Sequence, residues 1–417
     1  MSDRRPLRIL MVSDEWRPYI GGAGRCMELF ADELVNRGHT VEVGTAWHKD
    51  APDFEDGRVP VHRIRDLTTR AQWVSENPDR HTPPPFPDPE AGWRLRRLVK
   101  RFQPDLIPAY GWLAHSLAVG LAGIDVPVIL WGHEYGNTCP RRDLYRLEQE
   151  ICSGPGLVKC MACSKQQRGV AKGAAAVAGV LGMRPVLRRK TSALHSVSRY
   201  VAMVYDRDLR VPDAPSVVIE NFHEEGPELP ADEEILAQLP AGPYILFVGA
   251  LRRVKGVEDL VEAYGRLVDP PPLVMVGIRT PDTPASFPPG VTVLNDVPHP
   301  TVMAMWERAL FGVFPSRWPE PLATVVHEAM SQGRPAIGTT PGGHEDMIDD
   351  GETGLIVPSS DPTALAAAMK RLVEDEQGRE EMGRKARERA RDYTPEVVVP
   401  KLEDFYYETV DRHRARS

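Results

Sequence analysis

Short apolar runs alternate with amphipathic segments of helical length along this chain, and the rhythm starts twice. Arg8 to Val12 reads as a buried strand, Gly24 to Arg37 as a helix and Thr40 to Thr45 as the next strand. Strands apolar on both faces and joined by helices belong to a parallel sheet covered on either side. The pattern restarts at Tyr244 to Val248, after His223 to Gly242, which is rich in Glu and Pro and has little apolar periodicity. The expected organisation is an N-terminal domain over residues 1–222, a linker over 223–242 and a C-terminal domain over 243–394. A last helix, 395–417, carries Leu402, Phe405, Tyr406 and Val410 at helical spacing and is expected to pack back on the first domain. The 417 residues exceed what one hydrophobic core supports, so two α/β domains facing a cleft are expected.

Charge and hydropathy exclude several classes. A net charge of -8 argues against nucleic acid as the main partner. Arg4, Arg5 and Arg8 precede an apolar run, Ile9 to Val12, that is too short for a signal peptide, so the expected location is cytoplasmic. The longest apolar stretch, Leu106 to Trp131, is broken by Pro108, His115, Asp125 and Pro127. It reads as strand, helix and strand, and no transmembrane segment is expected. The Pro-rich His81 to Pro89 and the region Asp50 to Asn77 read as loops.

Phe311 to Pro358 holds the densest chemistry. Leu322, Val325, Val326, Ala329 and Met330 form one helical stripe, with Pro321 suited to the start and Gly333 to the stop. Glu320 is then expected just ahead of a helix N-terminus, with Glu328 about two turns on, at the stripe's edge. Unpaired N–H groups at such an end suit a diphosphate or sugar hydroxyls. On their own, two such carboxylates would be a helix-dipole partner and a solvated surface charge.

The surrounding residues resemble glycosyltransferase family four, the glycosyl transferases of group 1. They are Pro315 with Ser316, Glu320 with Pro321, Glu328 to Met330, Gly333, Pro335 and Gly342 with Gly343. The resemblance implies the GT-B fold, two Rossmann-like doubly wound domains facing a cleft, and transfer of a sugar from a nucleotide-diphosphate donor to an acceptor hydroxyl with retention. It implies that Glu320 contacts the donor sugar's hydroxyls, the backbone of Leu322, Ala323 and Thr324 the sugar and phosphate, and Glu328 the ribose diol. Leu322 and Ala323 stand where the family often has Phe and Gly, which bears on sugar preference.

Tyr244 to Gly256 reads as a buried strand followed by a basic loop. The resemblance assigns Lys255 and an arginine to the leaving diphosphate. Ala250 occupies the usual arginine position, so Arg252 is taken as the substitute and Arg253 as the fallback. Without the resemblance these residues would be a solvated turn. In the first domain, Gly21 and Gly22 precede a helix and lack the spacing of a dinucleotide fingerprint. By resemblance they flank the donor phosphate and the acceptor, while His133, at the end of the strand in Val128 to Gly136, touches the donor sugar with Glu134 in support. Ser198 and Asn221 are expected to be structural.

Asp206 and Asp208 form an Asp-x-Asp, but no strand leads into it, so it reads as a polar helix end rather than a cation site. No cofactor is expected in catalysis. The rival functions are another enzyme on the same scaffold, such as a phosphorylase or a nucleotide-sugar epimerase, and a non-catalytic sugar-nucleotide-binding protein.

Cys139, Cys152, Cys160 and Cys163 are separated by twelve, seven and two residues. The closing Cys-x-x-Cys suits a tetrahedral ion, so a structural zinc on all four thiolates is one expectation. Four reduced thiols, or less readily an iron–sulfur cluster, are the alternatives. Cys26 reads as a core residue.

Overall fold

The computed structural model describes residues 4–18, 21–70, 81–223 and 230–416. It divides into two compact units, the first comprising Met1–Glu220 with Val398–Ser417 and the second Asn221–Val397.

In the first unit, aliphatic residues commit short segments to buried strands, and amphipathic helices cover them. The order begins β1 (Arg8–Ser13), α1 (Gly22–Asn36), β2 (Thr40–Ala46), β3 (Phe54–Glu55), β4 (Val61–Ile64) and α2 (Pro89–Phe102). It continues through β5 (Ile107–Ala109), α3 (Leu113–Gly120), β6 (Val128–Gly132) and the β7 (Tyr145–Arg146) and β8 (Glu150–Ile151) hairpin. Next come α4 (Leu157–Lys190), β9 (Thr191–Ser196), α5 (Arg199–Asp208) and β10 (Ser216–Val218). Among the described residues the strands other than the β7–β8 hairpin form one sheet ordered β10-β9-β6-β5-β1-β2-β4-β3, parallel except at β3–β4. Its core includes the ring contact of Phe30 with Trp131 at 5.3 Å, and Trp131 stacks on His195 at 4.8 Å.

The second unit contains α6 (Glu233–Leu236), β11 (Tyr244–Val248), α7 (Val257–Tyr264), β12 (Leu273–Val276), β13 (Val291–Leu294) and α8 (His299–Arg308). After these follow β14 (Ala309–Val313), α9 (Thr324–Ser331), β15 (Ala336–Thr340), α10 (His344–Met347), β16 (Gly354–Pro358), α11 (Pro362–Glu374) and α12 (Glu376–Ala390). The sheet is parallel throughout, ordered β13-β12-β11-β14-β15-β16. The final helix, α13 (Pro395–Arg414), enters the first unit at Val398. There His39 Nδ1 accepts the Leu7 amide, which leaves its Nε2–H to donate to Glu403 at 2.9 Å, and Arg37 pairs with the same carboxylate at 2.8 Å.

Several boundaries differ from those read in the sequence. Within 223–242, residues 224–229 lie outside the described residues, and Asp232 caps the short α6 by accepting from Glu234 and Ile235, so this part of the supposed linker belongs to the second unit. Of Asp50 to Asn77, residues 71–77 lie outside the described residues. The Pro-rich loop is tied down, because Pro83 and Pro84 are buried and Asp88 caps α2 through Ala91 while also accepting from Leu67. Leu106 to Trp131 forms strand, helix and strand. Among the described residues one helix, α4, is long and apolar enough to cross a membrane, although Gly169 interrupts it at φ 76° and Pro185 lies inside.

Candidate active site

In each sheet the chain leaves in one direction and later returns in the other, so two adjacent strands send their outgoing loops apart. In the second unit this switch point lies between β11 and β14, and open α/β sheets bind ligands at the carboxyl ends of such strands. The loop after β11 carries Lys255, and the loop after β14 carries Glu320. Gly256 lets the two loops meet: its φ is 72°, and a Cβ there would lie 1.8 Å from the Pro315 carbonyl oxygen. Arg317 adds a clamp, bonding its backbone N–H to the Val254 carbonyl and its guanidinium to Asp259 and Glu258 on α7.

Glu320 is 6% exposed, and its Oε2 accepts from Lys255 Nζ at 2.7 Å, Ser316 Oγ at 2.9 Å and Trp318 Nε1 at 2.9 Å. Burial would raise this carboxyl, but the Lys255 ammonium, His344 and the hydrogen bonds from Lys255 and Ser316 outweigh it and hold the group below the usual carboxylate value. Glu320 is therefore an anion at neutral pH. Its backbone is fixed by the glycine loop after β15, where the Gly343 N–H donates to the Glu320 carbonyl and a Cβ at Gly343 would lie 2.0 Å from the Pro321 oxygen.

The helix expected from Pro321 begins only at Thr324, with Ala323 at the N-cap. Glu320 is thus a loop residue, held by side-chain donors and by close packing against the glycine loop. No side-chain cap and no acidic first turn occupy the N-terminus of α9, where Leu322 and Ala323 are buried. Glu328 lies further along α9, accepting from Trp306 Nε1 at 3.4 Å and standing 3.3 Å from His299 Nε2. The two basic residues before Lys255 diverge from it. Arg252 is exposed with Asp282 as an electrostatic neighbour, while Arg253 takes Asp282 on its backbone N–H and Glu258 on its guanidinium.

In the first unit the corresponding switch point lies between β1 and β5. Asp14, just past β1, accepts the N–H groups of Trp112 and Leu113 at 2.9 and 2.8 Å, tying the two loops together. Arg142 bridges Asp14 at 3.1 Å and Glu134 at 3.1 and 3.2 Å, with its guanidinium 4.9 Å from the Trp112 ring centre. Burial raises both carboxyls, and Arg142 opposes that rise. His133 follows β6 directly, is 6% exposed and lies against the Tyr110 and Trp131 rings. At the start of α1, Gly21 is the N-cap and no side chain caps it. A Cβ at Gly21 would lie 2.7 Å from Glu15 Oε2, whereas one at Gly22 would meet nothing within 4 Å.

Comparison with known proteins bears on what these two sites belong to. Residues 21–221 match the glycosyl transferase 4-like domain, and residues 231–389 match the glycosyl transferases group 1. The chain belongs to glycosyltransferase family four. Among curated relatives of this family-four chain, D-inositol 3-phosphate glycosyltransferase of Corynebacterium glutamicum is 29% identical over 182 residues. That match covers 40% of this chain and 43% of the relative, under half of either. Sucrose-phosphate synthase from Thermosynechococcus elongatus superimposes with a TM-score of 0.73 at 20% identity, covering 96% of this chain and 98% of the other. Anabaena HepE in complex with UDP-glucose gives 0.66 at 15% identity, covering 96% and 100%. These likenesses fix the fold as GT-B.

The structure brings Lys255 onto Glu320, and it places Leu322, Ala323 and Thr324 at the start of α9 with Glu328 further along the same helix. It does not bring Arg252 to that pair. Sequence reasoning gave no role to Ser316, Trp318, Trp306, Asp14 or Arg142: Trp306, Asp14 and Arg142 act through contacts far along the chain, and Ser316 and Trp318, though near Glu320 in sequence, reach it only through the fold of their loop. Two left a trace: Ser316 within the family-like motif, and Asp14 as a carboxylate directly after a buried strand. Ser198 caps α5 through Val201, and Asp208 ends that helix paired with Arg207.

Proposed function

We propose that the chain transfers a sugar from a nucleotide-diphosphate sugar to an acceptor hydroxyl with retention of configuration. The observation that carries this reading is the Lys255–Glu320 pair, built where β11 and β14 diverge. Glu320 spends its protein hydrogen bonds on Oε2, which leaves Oε1 to accept from a sugar hydroxyl. The open N-terminus of α9, with Leu322, Ala323 and Thr324, supplies N–H groups and a positive dipole end for sugar and phosphate. Glu328 takes the ribose diol, as the resemblance implies.

When the anomeric carbon–oxygen bond breaks, negative charge collects on the leaving diphosphate, and a fixed cation stabilises that state more than the bound donor. Lys255 fills this role, with Arg252 as the second cation if its exposed side chain swings in. The leaving phosphate takes the acceptor's proton, so no covalent nucleophile is needed. In the first unit, His133 contacts the donor sugar, held by Tyr110 and Trp131, and the space around Gly22 admits a phosphate or acceptor. The complex of HepE with UDP-glucose makes UDP-sugars the first donors to test. All five cysteines are free thiols, which supports the cytoplasm as the place of action.

A thermal-shift screen with UDP-, GDP-, ADP- and TDP-sugars identifies the donor, because a ligand selective for the folded state raises the melting temperature. Nucleotide diphosphate released only on adding acceptor, with the product's anomeric configuration read by NMR, supports the reading. A panel in which no donor shifts melting and none is consumed defeats it.

A further inference from the structure

The segment between β6 and α4 contains a feature that sugar transfer does not use. Cys139, Cys152, Cys160 and Cys163 line one small cavity of about 20 Å³ in the first unit. Cys152 follows the β7–β8 hairpin, its N–H bonded to the Leu144 carbonyl at 2.7 Å, and it lies within electrostatic reach of each of the other three. Cys160 and Cys163 sit on one face of the first turns of α4, whose N-terminus has neither a side-chain cap nor an acidic residue. All four are free thiols.

Hydrogen-bond donors and cations gather around the four sulfurs. Backbone N–H groups donate to Cys163 Sγ from Leu147 and to Cys160 Sγ from Gly156, both at 3.4 Å, and to Cys139 Sγ from Arg141 and Leu144. Arg141 Nη1 and Arg146 Nε are buried without a hydrogen-bond partner, and both side chains line the cavity. Arg184 Nε is likewise without a partner, and its charge acts on Cys160. The other nitrogens of two of these groups already meet carboxylates, Asp143 and Glu148 at Arg141 and Glu150 at Arg146. Four thiolates around a divalent ion carry two net negative charges, which Arg184 and Lys159, together with the unpartnered nitrogens of Arg141 and Arg146, would partly offset.

We propose that Cys139, Cys152, Cys160 and Cys163 hold one structural zinc ion as thiolates. Among the described residues no three His, Cys, Asp or Glu side chains are already arranged as a ligand set, so the ion itself draws the sulfurs in to zinc–sulfur bonds of about 2.3 Å. Binding releases the four thiol protons to solvent and involves no change of oxidation state. Four protein ligands complete the tetrahedron, so no position is left for substrate. The consequence reaches Arg142. Its N–H bonds to the Cys139 carbonyl at 3.0 Å, so a metal that fixes Cys139 also fixes the residue bridging Asp14 and Glu134 beside His133.

The proposal goes beyond the sugar-transfer reading, and its test does not depend on activity. The full chain, purified without chelator, should contain one zinc per molecule by plasma mass spectrometry. Titration with an organomercurial should release that zinc as four thiols react, and cobalt exchanged into the site should give the intense visible bands of tetrahedral tetrathiolate coordination. Cys152→Ser and Cys163→Ser should lose the metal, while Cys26→Ser keeps it. Because serine variants can fail to fold, the mercurial release and cobalt spectrum of the unaltered chain decide the matter. Zinc far below one per chain, iron and sulfide in its place, a disulfide among the four, or thiols that react freely in the folded protein would each overturn it.

Discussion

Lys255 Nζ stands 2.7 Å from Glu320 Oε2, an ion pair between residues 65 positions apart on loops that leave neighbouring strands. The pair places a cation and a buried anion at the diverging ends of β11 and β14, and it makes each residue's substitution informative about the other.

Replacing Lys255 with Met should cut turnover by roughly 10²–10³-fold, the usual cost of losing one group that stabilises developing charge. It also leaves Glu320 buried without its ammonium, at a cost of about 1–3 kcal/mol in stability. Initial rates of nucleotide diphosphate release, alongside melting curves, separate the two effects. Arg252→Ala should slow turnover and Arg253→Ala should not, because Arg253 is engaged by Glu258 and Asp282. The reverse result would reassign the second cation.

Glu328→Gln is the cleaner probe of the donor's ribose than Glu328→Ala, since the amide oxygen can still accept from Trp306 Nε1. Donor affinity should weaken by about 1.5–3 kcal/mol, the range for hydrogen bonds to a charged group, with the melting temperature unchanged. Calorimetric titration showing wild-type affinity would remove Glu328 from the donor site.

Two glycines should respond oppositely to alanine. At Gly343 the new methyl would sit 2.0 Å from the Pro321 oxygen, so Gly343→Ala should lower the melting temperature and disturb Glu320. At Gly22 a methyl meets no atom within 4 Å, so Gly22→Ala should melt like the parent yet lose activity if a ligand occupies that space. Full activity of Gly22→Ala would place the ligand elsewhere.

Three buried histidines set an acid limit. Burial pushes His115 and His195 down to about 4 and His327 to about 3. In the unfolded chain each titrates near 6.5, so below that pH the unfolded state binds protons that the folded state refuses. Their stabilising effect is complete above about pH 6.5 and is lost as pH falls toward 4, by roughly 1.4 kcal/mol per pH unit for each. Asp14 and Glu134, raised by burial, act in the opposite sense. Melting temperatures should therefore drop from about pH 6.5 downward. His195→Gln should shallow that decline, and an unchanged slope would show that His195 is not buried neutral.

The α/β rhythm, the two units and the family were legible in the sequence because they rest on local patterns. Apolar runs such as Ile9 to Val12 and Tyr244 to Val248 lie in buried strands, as their composition and length imply, and Glu320, Glu328, Gly342 and Gly343 are recognisable by order and type alone. The start of α9 was not legible: Pro321 is a good first helical residue by propensity, but it lies in a bend packed closely against Gly343, Ala323 is extended, and the helix begins only at Thr324. Tertiary packing overrode a local preference. The same holds for the Lys255 contact to Glu320, the Trp306 contact from α8 to Glu328 on α9 and the Arg142 bridge from Asp14 to Glu134, each of which depends on how distant segments pack. Sequence by itself determined which residues were available for this chemistry. Only the tertiary structure decided which of them meet, because a contact such as Lys255 to Glu320 is set by strand order and loop approach rather than by spacing along the chain.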